Sequence, residues 1–475
     1  MLLTPTPAVV PPDFLSILCC PYCRGTFAFT ATPYGPPVVA ACGVLRCPCS
    51  AFPVVDGIPI LQKAPVGMFE HTMGTVQVEG VPVAELVRLL EAGRALDALL
   101  ECLAVPAVLP EVVSRVLPWR IAHSGTMERW LRGAGKRLLR AQVIEQRAHL
   151  GARQVLEFYY PLHSPLGHAV GHYFVLRFCQ PRHLAALSLL ATLPGDPAGD
   201  KPVLDIACGL GHLEHYLTRR AHPLAAVGTD MNYFHVWIAQ HWFAPGARFV
   251  CANAAEGLPF ADAAFSATVC SDAWHYIPER QRLLREIERT GPGRPVFLTR
   301  VGNAEVMPME GVEQSLAAYL DDCAIDGGAD VHAFGEPDLV RAYLRGQNPF
   351  ARQYAARALV EEKWLSFAWN IGPRLLAAER AASDPPHAVG TIGVNPVYQV
   401  VRRHEGRTAV QFEFPLPWFA YENHAMLSYH PRHADIGDTS RAMWQRWRDD
   451  ATLVRLVESF VLIGLPDRFD APASA

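Results

Sequence analysis

The sequence predicts an α/β fold: an open, mostly parallel sheet wrapped by helices, with a small cysteine-rich unit ahead of it and helical segments inserted after it. Three observations predict this. The run KPVLDIACGLGHLEHYLTRR reads as a buried strand, a tight turn of small residues, then a helix. Further apolar runs, in LAAVGTD, FSATVC and PVFLTRVG, are separated by helical patterns, the alternation that builds parallel sheets. Six of the twelve cysteines fall within the first fifty residues.

Composition sets the outer limits. Half of the 475 residues are hydrophobic and 19% are charged, enough for a substantial core. The formal net charge is −4, so no basic surplus asks for a nucleic-acid partner. No apolar run reaches the ~18 residues of a membrane span. The N-terminus, MLLTPTPAVVPPDF, lacks the basic region of a signal peptide, so a cytoplasmic location is expected. In a reducing compartment, clustered cysteines point to metal rather than to disulfides.

The cysteine-rich unit comes first. Cys20-Pro21-Tyr22-Cys23 forms one knuckle, and Cys47 and Cys49 form a second, twenty-four residues on. Two knuckles on facing hairpins can bring four thiolates around one Zn²⁺. The second is one residue short of the usual C-x-x-C, so Cys42 and Cys19 stay open as alternatives to one ligand. The pattern ILCCPYC … LRCPCSAFPVVDGIPIL, over residues 14–62, resembles the small zinc-ribbon proteins that act as methyltransferase activators and also occur fused ahead of bacterial methyltransferases. Such a zinc would be structural, because four thiolates leave no open position for catalysis.

Residues 64–150 read as mostly helical, the second half with an Arg-rich face that is expected to be solvated. In residues 151–175, His168 and His172 stand at i, i+4, with His163 nearby. A metal pair there is the minor reading. A lid over the following site is the other, with His172 and Tyr173 as candidates.

The strongest signal follows. Asp205 precedes the small-residue loop Ala207-Cys208-Gly209-Leu210-Gly211, where the backbone can approach a ligand and a helix N-terminus offers free N–H groups. The third glycine of a dinucleotide turn is replaced by Glu214, and the negative charge of Asp205 would repel a pyrophosphate. That charge suits a cation. The loop resembles the first motif of class I S-adenosylmethionine-dependent methyltransferases, with Ala207 in place of the first glycine. The next strand ends at Asp230, followed by Met231, nineteen residues after Gly211. The stretch NAAEGLPFADAAFSATVCSDAWHYIPE then resembles the ubiquinone/menaquinone-biosynthesis-like members of that family, over about residues 201–302 in all. The resemblance implies a Rossmann-like sheet and S-adenosylmethionine as cofactor. Asp205 would face its ammonium, Asp230 its ribose hydroxyls, and Asn253 and Ala254 its adenine. Ser271, Asp272, Trp274, His275 and Tyr276 would lie at the carboxyl end of a strand, where such sheets bind ligands.

Methyl transfer needs alignment above all, and a hydroxyl or amine acceptor also calls for a base. His275 is the candidate base; His424, His430 and His433 are rivals. The hairpin pattern VYQVVRRHEGRTAVQFEFPL, turning at Glu405-Gly406, is expected to complete the sheet. That makes 303–390 a largely helical insertion containing LVEEKWLSFAWNI, with Trp364, Phe367, Trp369, Trp418 and Phe419 as candidate pocket aromatics. Four units result: a zinc-ribbon-like unit (1–63), a helical region (64–195), the cofactor-binding core (196–302), and an insertion plus hairpin (303–475). The expected activity is methylation of a small molecule. An RNA methyltransferase and a cofactor-binding scaffold without turnover are the other readings. Oligomeric state is not legible.

Overall fold

The structure is a computed structural model and describes residues 10–471, apart from 33–40, 68–79, 104–117, 119, 121–123, 164–166, 196–200, 309–312, 324–329, 353–355, 378–384, 405–406 and 438–440. Its centre is a seven-stranded sheet. Five strands are parallel: β5 (Val203–Ile206), β6 (Ala226–Asp230), β7 (Arg248–Cys251), β8 (Ala267–Ser271) and β9 (Val296–Gly302). Two more, β10 (His332–Gly335) and β11 (Trp364–Trp369), run antiparallel to each other, and β11 runs antiparallel to β9. The order across the sheet is β10-β11-β9-β8-β5-β6-β7. β5, β8 and β9 are buried along their whole length, as strands covered on both faces must be, and their sequences are correspondingly apolar.

Two expectations are corrected here. The segment WLSFAW is not helical; it is β11, and β10 with β11 supplies the antiparallel end of the sheet. The hairpin pattern does fold as a hairpin, β13 (Tyr398–His404) with β14 (Arg407–Phe412). It joins β15 (His433–Asp435) in a separate three-stranded sheet instead of the core. Its Glu405-Gly406 turn lies outside the described residues. The reason is burial. Every residue of β11 after Trp364 is buried, which fits a place inside a layered sheet, whereas Val400 and Val401 of β13 stay exposed.

The N-terminal unit is a four-stranded antiparallel sheet of β1 (Ala28–Ala31), β2 (Gly43–Cys47), β3 (Ser50–Val55) and β4 (Ile58–Pro59). Asp56-Gly57 joins β3 to β4 as a two-residue turn with φ of +47° and +82°, the conformation Asp-Gly favours in hairpins. The unit is fused to the core. Ile60 bridges Cys251 of β7, Leu18 bridges Phe260, and Phe14, Phe52 and Val54 share one hydrophobic cluster with Leu204 and Val227 of the central sheet. Between the two units run the helices Val83–Glu91, Ala95–Leu103 and Gly125–Leu139. No helix among the described residues is long and apolar enough to cross a membrane.

Candidate active site and cysteine cluster

The parallel strands place Asp205, Asp230, Asn253 and Ser271 at or just beyond the carboxyl ends of β5, β6, β7 and β8, along one edge of the sheet. Between β5 and the helix His212–Arg219 the chain turns through Ala207 (φ +59°), Gly209 (φ +55°) and Gly211 (φ +79°). Ala207 therefore holds a left-handed conformation that a glycine would adopt more easily. At Gly211 a Cβ would come within 2.9 Å of Ala239 Cβ, so only glycine fits. Cys208 is buried beside the turn, its N–H bonded to Thr229.

Asp230 closes the loop. One carboxylate oxygen accepts from Gly209 N–H at 3.0 Å and the other from Asn232 N–H at 2.8 Å. Burial would raise its pKa, but His235 and these N–H groups hold it below the usual carboxylate value. It is therefore a charged acceptor. Met231 follows it, its carbonyl accepting the Cys251 thiol at 3.5 Å. The Asn253 amide oxygen accepts from Ala255 N–H at 3.1 Å and starts a short 3-10 turn that begins with Ala254. The Ser271 hydroxyl is buried and accepts from Thr299 at 2.9 Å.

Asp205 has an unforeseen neighbour. Its carboxyl and that of Glu214 are both buried, and the two interact electrostatically. Asp205 Oδ1 and both Glu214 oxygens have no hydrogen-bond partner among the described residues. Burial raises both pKa values far above normal; the Asp205 charge pushes Glu214 up further, whereas Asp230 adds to the rise of Asp205 and Glu214 itself lowers it. Burial thus favours the neutral, protonated form of both carboxyls. Glu214 has room because β6 carries Gly228; a Cβ there would lie 2.4 Å from Glu214 Oε1.

Part of the segment 151–175 reaches the loop. Phe174 packs over the loop, its Cε1 3.9 Å from the Cβ position of Gly209, and its carbonyl accepts from His212 Nε2 at 3.0 Å. Tyr160 Oη meets His235 Nε2 at 3.1 Å. Tyr173 donates to Asp272 at 2.6 Å, whereas the side chains of His163 and His168 lie outside the described residues. His275 is 1% exposed, its ring against Tyr276 and Trp364 at centroid separations of 4.1 and 5.9 Å. His430 lies elsewhere, in an aromatic cluster with Tyr398, Phe412 and Phe460, and burial pushes its pKa down to about 3. His424 and His433 belong to the same C-terminal region. Of the five candidate pocket aromatics, Trp364 adjoins His275; Phe367, Trp369 and Phe419 are core, and Trp418 is exposed.

Beyond β8 lies an ion network that sequence reasoning missed. Asp272 accepts from Arg182 at 2.9 Å, from Arg300 at 2.9 Å and from Arg177 at 3.3 Å. Arg300 also bonds Glu336 at 2.8 Å, and Arg182 bonds Glu422 at 2.7 Å. Arg300 has φ +53° at the point where β9 slips register against β11, and its side chain is buried there. An arginine inside the apolar run VFLTRVG was the available signal.

The cysteines converge as well. The sulfurs of Cys20, Cys23, Cys47 and Cys49 all lie within 4.8 Å of one another, with contacts of 3.6, 3.8 and 3.5 Å. Sulfurs bound tetrahedrally to zinc at ~2.3 Å stand ~3.8 Å apart, so the donor set fits. The Gly25 N–H draws the Cys23 thiol down to about 7, whereas the neighbouring Cys23 pushes Cys49 up to about 12. The two alternatives are engaged elsewhere: Cys19 donates to the Phe260 carbonyl at 3.0 Å, and Cys42 accepts from Asp56 N–H at 3.3 Å.

Residues 203–290 match the family model of a methyltransferase domain. Over 92 residues the chain is 37% identical to the phthiotriol/phenolphthiotriol dimycocerosates methyltransferase of Mycobacterium tuberculosis, covering 19% of this chain and 34% of that protein. It is 38% identical over 90 residues to phthiotriol/phenolphthiotriol dimycocerosates methyltransferase 1 of Mycobacterium ulcerans, covering 19% and 33%. The chain thus spans about a third of the length of these curated relatives. Among solved structures, an S-adenosylmethionine-dependent methyltransferase of Mesorhizobium loti aligns at 17% identity and TM-score 0.30, over 39% of this chain and 97% of that one. The segment 203–290 is a methyltransferase domain, carried on a Rossmann-like α/β sheet.

Proposed function

We propose that the chain is an S-adenosylmethionine-dependent methyltransferase acting on a small molecule. One observation carries the reading: within a methyltransferase domain, two carboxyl residues at the ends of adjacent strands flank a left-handed small-residue loop. When bound, the cofactor supplies an activated methyl group on a sulfonium. Asp205 faces the ammonium, Asp230 receives the ribose hydroxyls, and Asn253 and Ala254 border the adenine. Ala207, Cys208, Gly209 and Gly211 provide the close backbone approach, with Met231 and Ser271 on the rim. Tyr160, Phe174 and Tyr173 exclude water above the loop.

The acceptor is aligned at the ends of β8 and β9, where His275 serves as base for an acceptor proton. The cysteine cluster holds one structural Zn²⁺ through Cys20, Cys23, Cys47 and Cys49. The relatives named above act, by their names, on phthiotriol or phenolphthiotriol dimycocerosates; a small organic acceptor is the corresponding reading here.

Calorimetric titration with S-adenosylmethionine and S-adenosylhomocysteine tests the cofactor reading. Saturable binding by the wild type is expected, weakened about 100-fold in Asp230→Ala, because a charged acceptor of two hydrogen bonds is lost. Absence of binding by the wild type would sink it.

A further inference from the structure

We infer that the Arg182–Arg300 pair is a recognition site for an anionic group, a carboxylate or a phosphate, on the acceptor, and that Glu422 occupies this site in its absence. The inference rests on the methyltransferase reading for its meaning, but the site stands on its own geometry.

The argument is one of charge and position. Three guanidinium groups, from Arg177, Arg182 and Arg300, meet three carboxylates, from Asp272, Glu336 and Glu422. Asp272 follows β8 directly, and Glu336 opens the helix Glu336–Leu344; their side chains are 9% and 11% exposed. Glu422 differs. It comes from the separate helix Pro417–Asn423, and its side chain is 32% exposed. It reaches Arg182 at 2.7 Å and Arg300 at 3.7 Å through a single oxygen. A rotamer change is enough to swing it into solvent, and the network then holds one positive charge too many. Arg182 and Arg300 are 4% and 1% exposed, so the excess would sit where water screens it poorly. Arg182 Nε, also buried, has no hydrogen-bond partner among the described residues, so the pair retains an unused donor. Planar guanidinium groups of this kind bind carboxylate and phosphate by paired, charge-assisted hydrogen bonds.

The surroundings define the rest of the ligand. Trp364 lies under Arg300, 3.9 Å from its guanidinium carbon to the ring centre. Tyr276 and Tyr421 are 41% and 78% exposed, and Lys363 Nζ stands 5.0 Å from the Tyr421 ring centre. An anion on an aromatic or apolar body matches a cationic floor with an aromatic rim.

The test titrates the protein, in chloride-free buffer, with benzoate, phenyl phosphate and neutral benzamide by calorimetry. Wild type and Glu422→Gln are compared, each with and without saturating S-adenosylhomocysteine. At least one anion is expected to bind saturably while benzamide does not, and Glu422→Gln should tighten that anion about tenfold. The preferred anion separates carboxylate from phosphate as the native group. Thermal denaturation of the variant gives a second readout, with its midpoint raised by the anion and not by benzamide. Equal binding of benzoate and benzamide, or anion binding that Glu422→Gln leaves unchanged, would overturn the inference. Failure of S-adenosylhomocysteine to bind would instead count against the methyltransferase reading, since the anion titration is also run without it.

Discussion

Asp205 and Glu214 show how one residue changes the chemistry of a familiar loop. A single carboxylate behind a glycine turn is expected to be ionised; burying two carboxyls together favours their protonated forms. Because both values are raised on folding, the stabilisation from holding the proton is complete below the unfolded carboxyl range, near pH ~4, and is lost as pH rises through the folded values. A cation placed beside Asp205 favours the ionised pair, so cofactor binding should expel the proton. Calorimetry in two buffers of different ionisation enthalpy should show release of close to one proton per S-adenosylmethionine bound, and affinity rising with pH. In Asp205→Asn the release should fall toward zero; unchanged release would show that the proton does not come from Asp205. His275→Gln tests another residue. Loss of a base should lower kcat about 100-fold and flatten the acid limb of the pH profile, with KM little changed. A change in KM alone would assign His275 to packing.

At the scale of elements, the ion network joins parts of the chain that local patterns keep separate. Arg182 opens the helix Pro181–Leu190, Arg300 lies in β9, Glu336 opens the helix Glu336–Leu344, and Asp272 follows β8. Burial would raise the pKa of Asp272, but Arg182, Arg300 and Arg177 hold it far below the carboxylate range. Its contribution to stability is therefore present above the unfolded value of ~3.9 and is lost as pH falls. Asp272→Asn leaves the guanidiniums in excess inside the protein and should cost about 3–5 kcal/mol, measurable by chemical denaturation. A cost below about 1 kcal/mol would show that water already screens the cluster.

At the scale of the whole molecule, the N-terminal unit is bound into the core by more than apolar contact. Asp56, fully buried in its hairpin turn, accepts from Trp237 at 2.8 Å, from His241 Nε2 at 2.8 Å and from Arg147 at 2.9 Å. Trp237 belongs to the helix Tyr233–Ile238, which directly follows the Asp230 strand and also donates from Tyr233 to the Val55 carbonyl at 2.9 Å. Loosening the cysteine unit should therefore be felt at the cofactor loop. Removing one equivalent of zinc with a chelator, or substituting Cys20→Ser, should lower the thermal midpoint and weaken S-adenosylhomocysteine binding together. Metal analysis showing no zinc in the purified protein would remove the premise.

Much of this was legible in the residues themselves. The strand–turn–helix at Asp205, the carboxylate at Asp230 and the cysteine knuckles are local patterns, because a tight turn, a strand end and a metal loop are each specified by neighbours in sequence. The small-residue loop in particular needs left-handed backbone at Ala207, Gly209 and Gly211. Other features were settled only by the tertiary structure. Which hairpin completes the sheet depended on which apolar strand could be buried on both faces, and β11 outcompeted the amphipathic pair β13–β14. The buried carboxyls of Asp205 and Glu214, the Asp56 anchor, and the network of Asp272, Arg182, Arg300 and Glu422 join residues far apart in the chain or on different elements. Their chemistry comes from burial and from the partners found there, and neither is encoded in spacing.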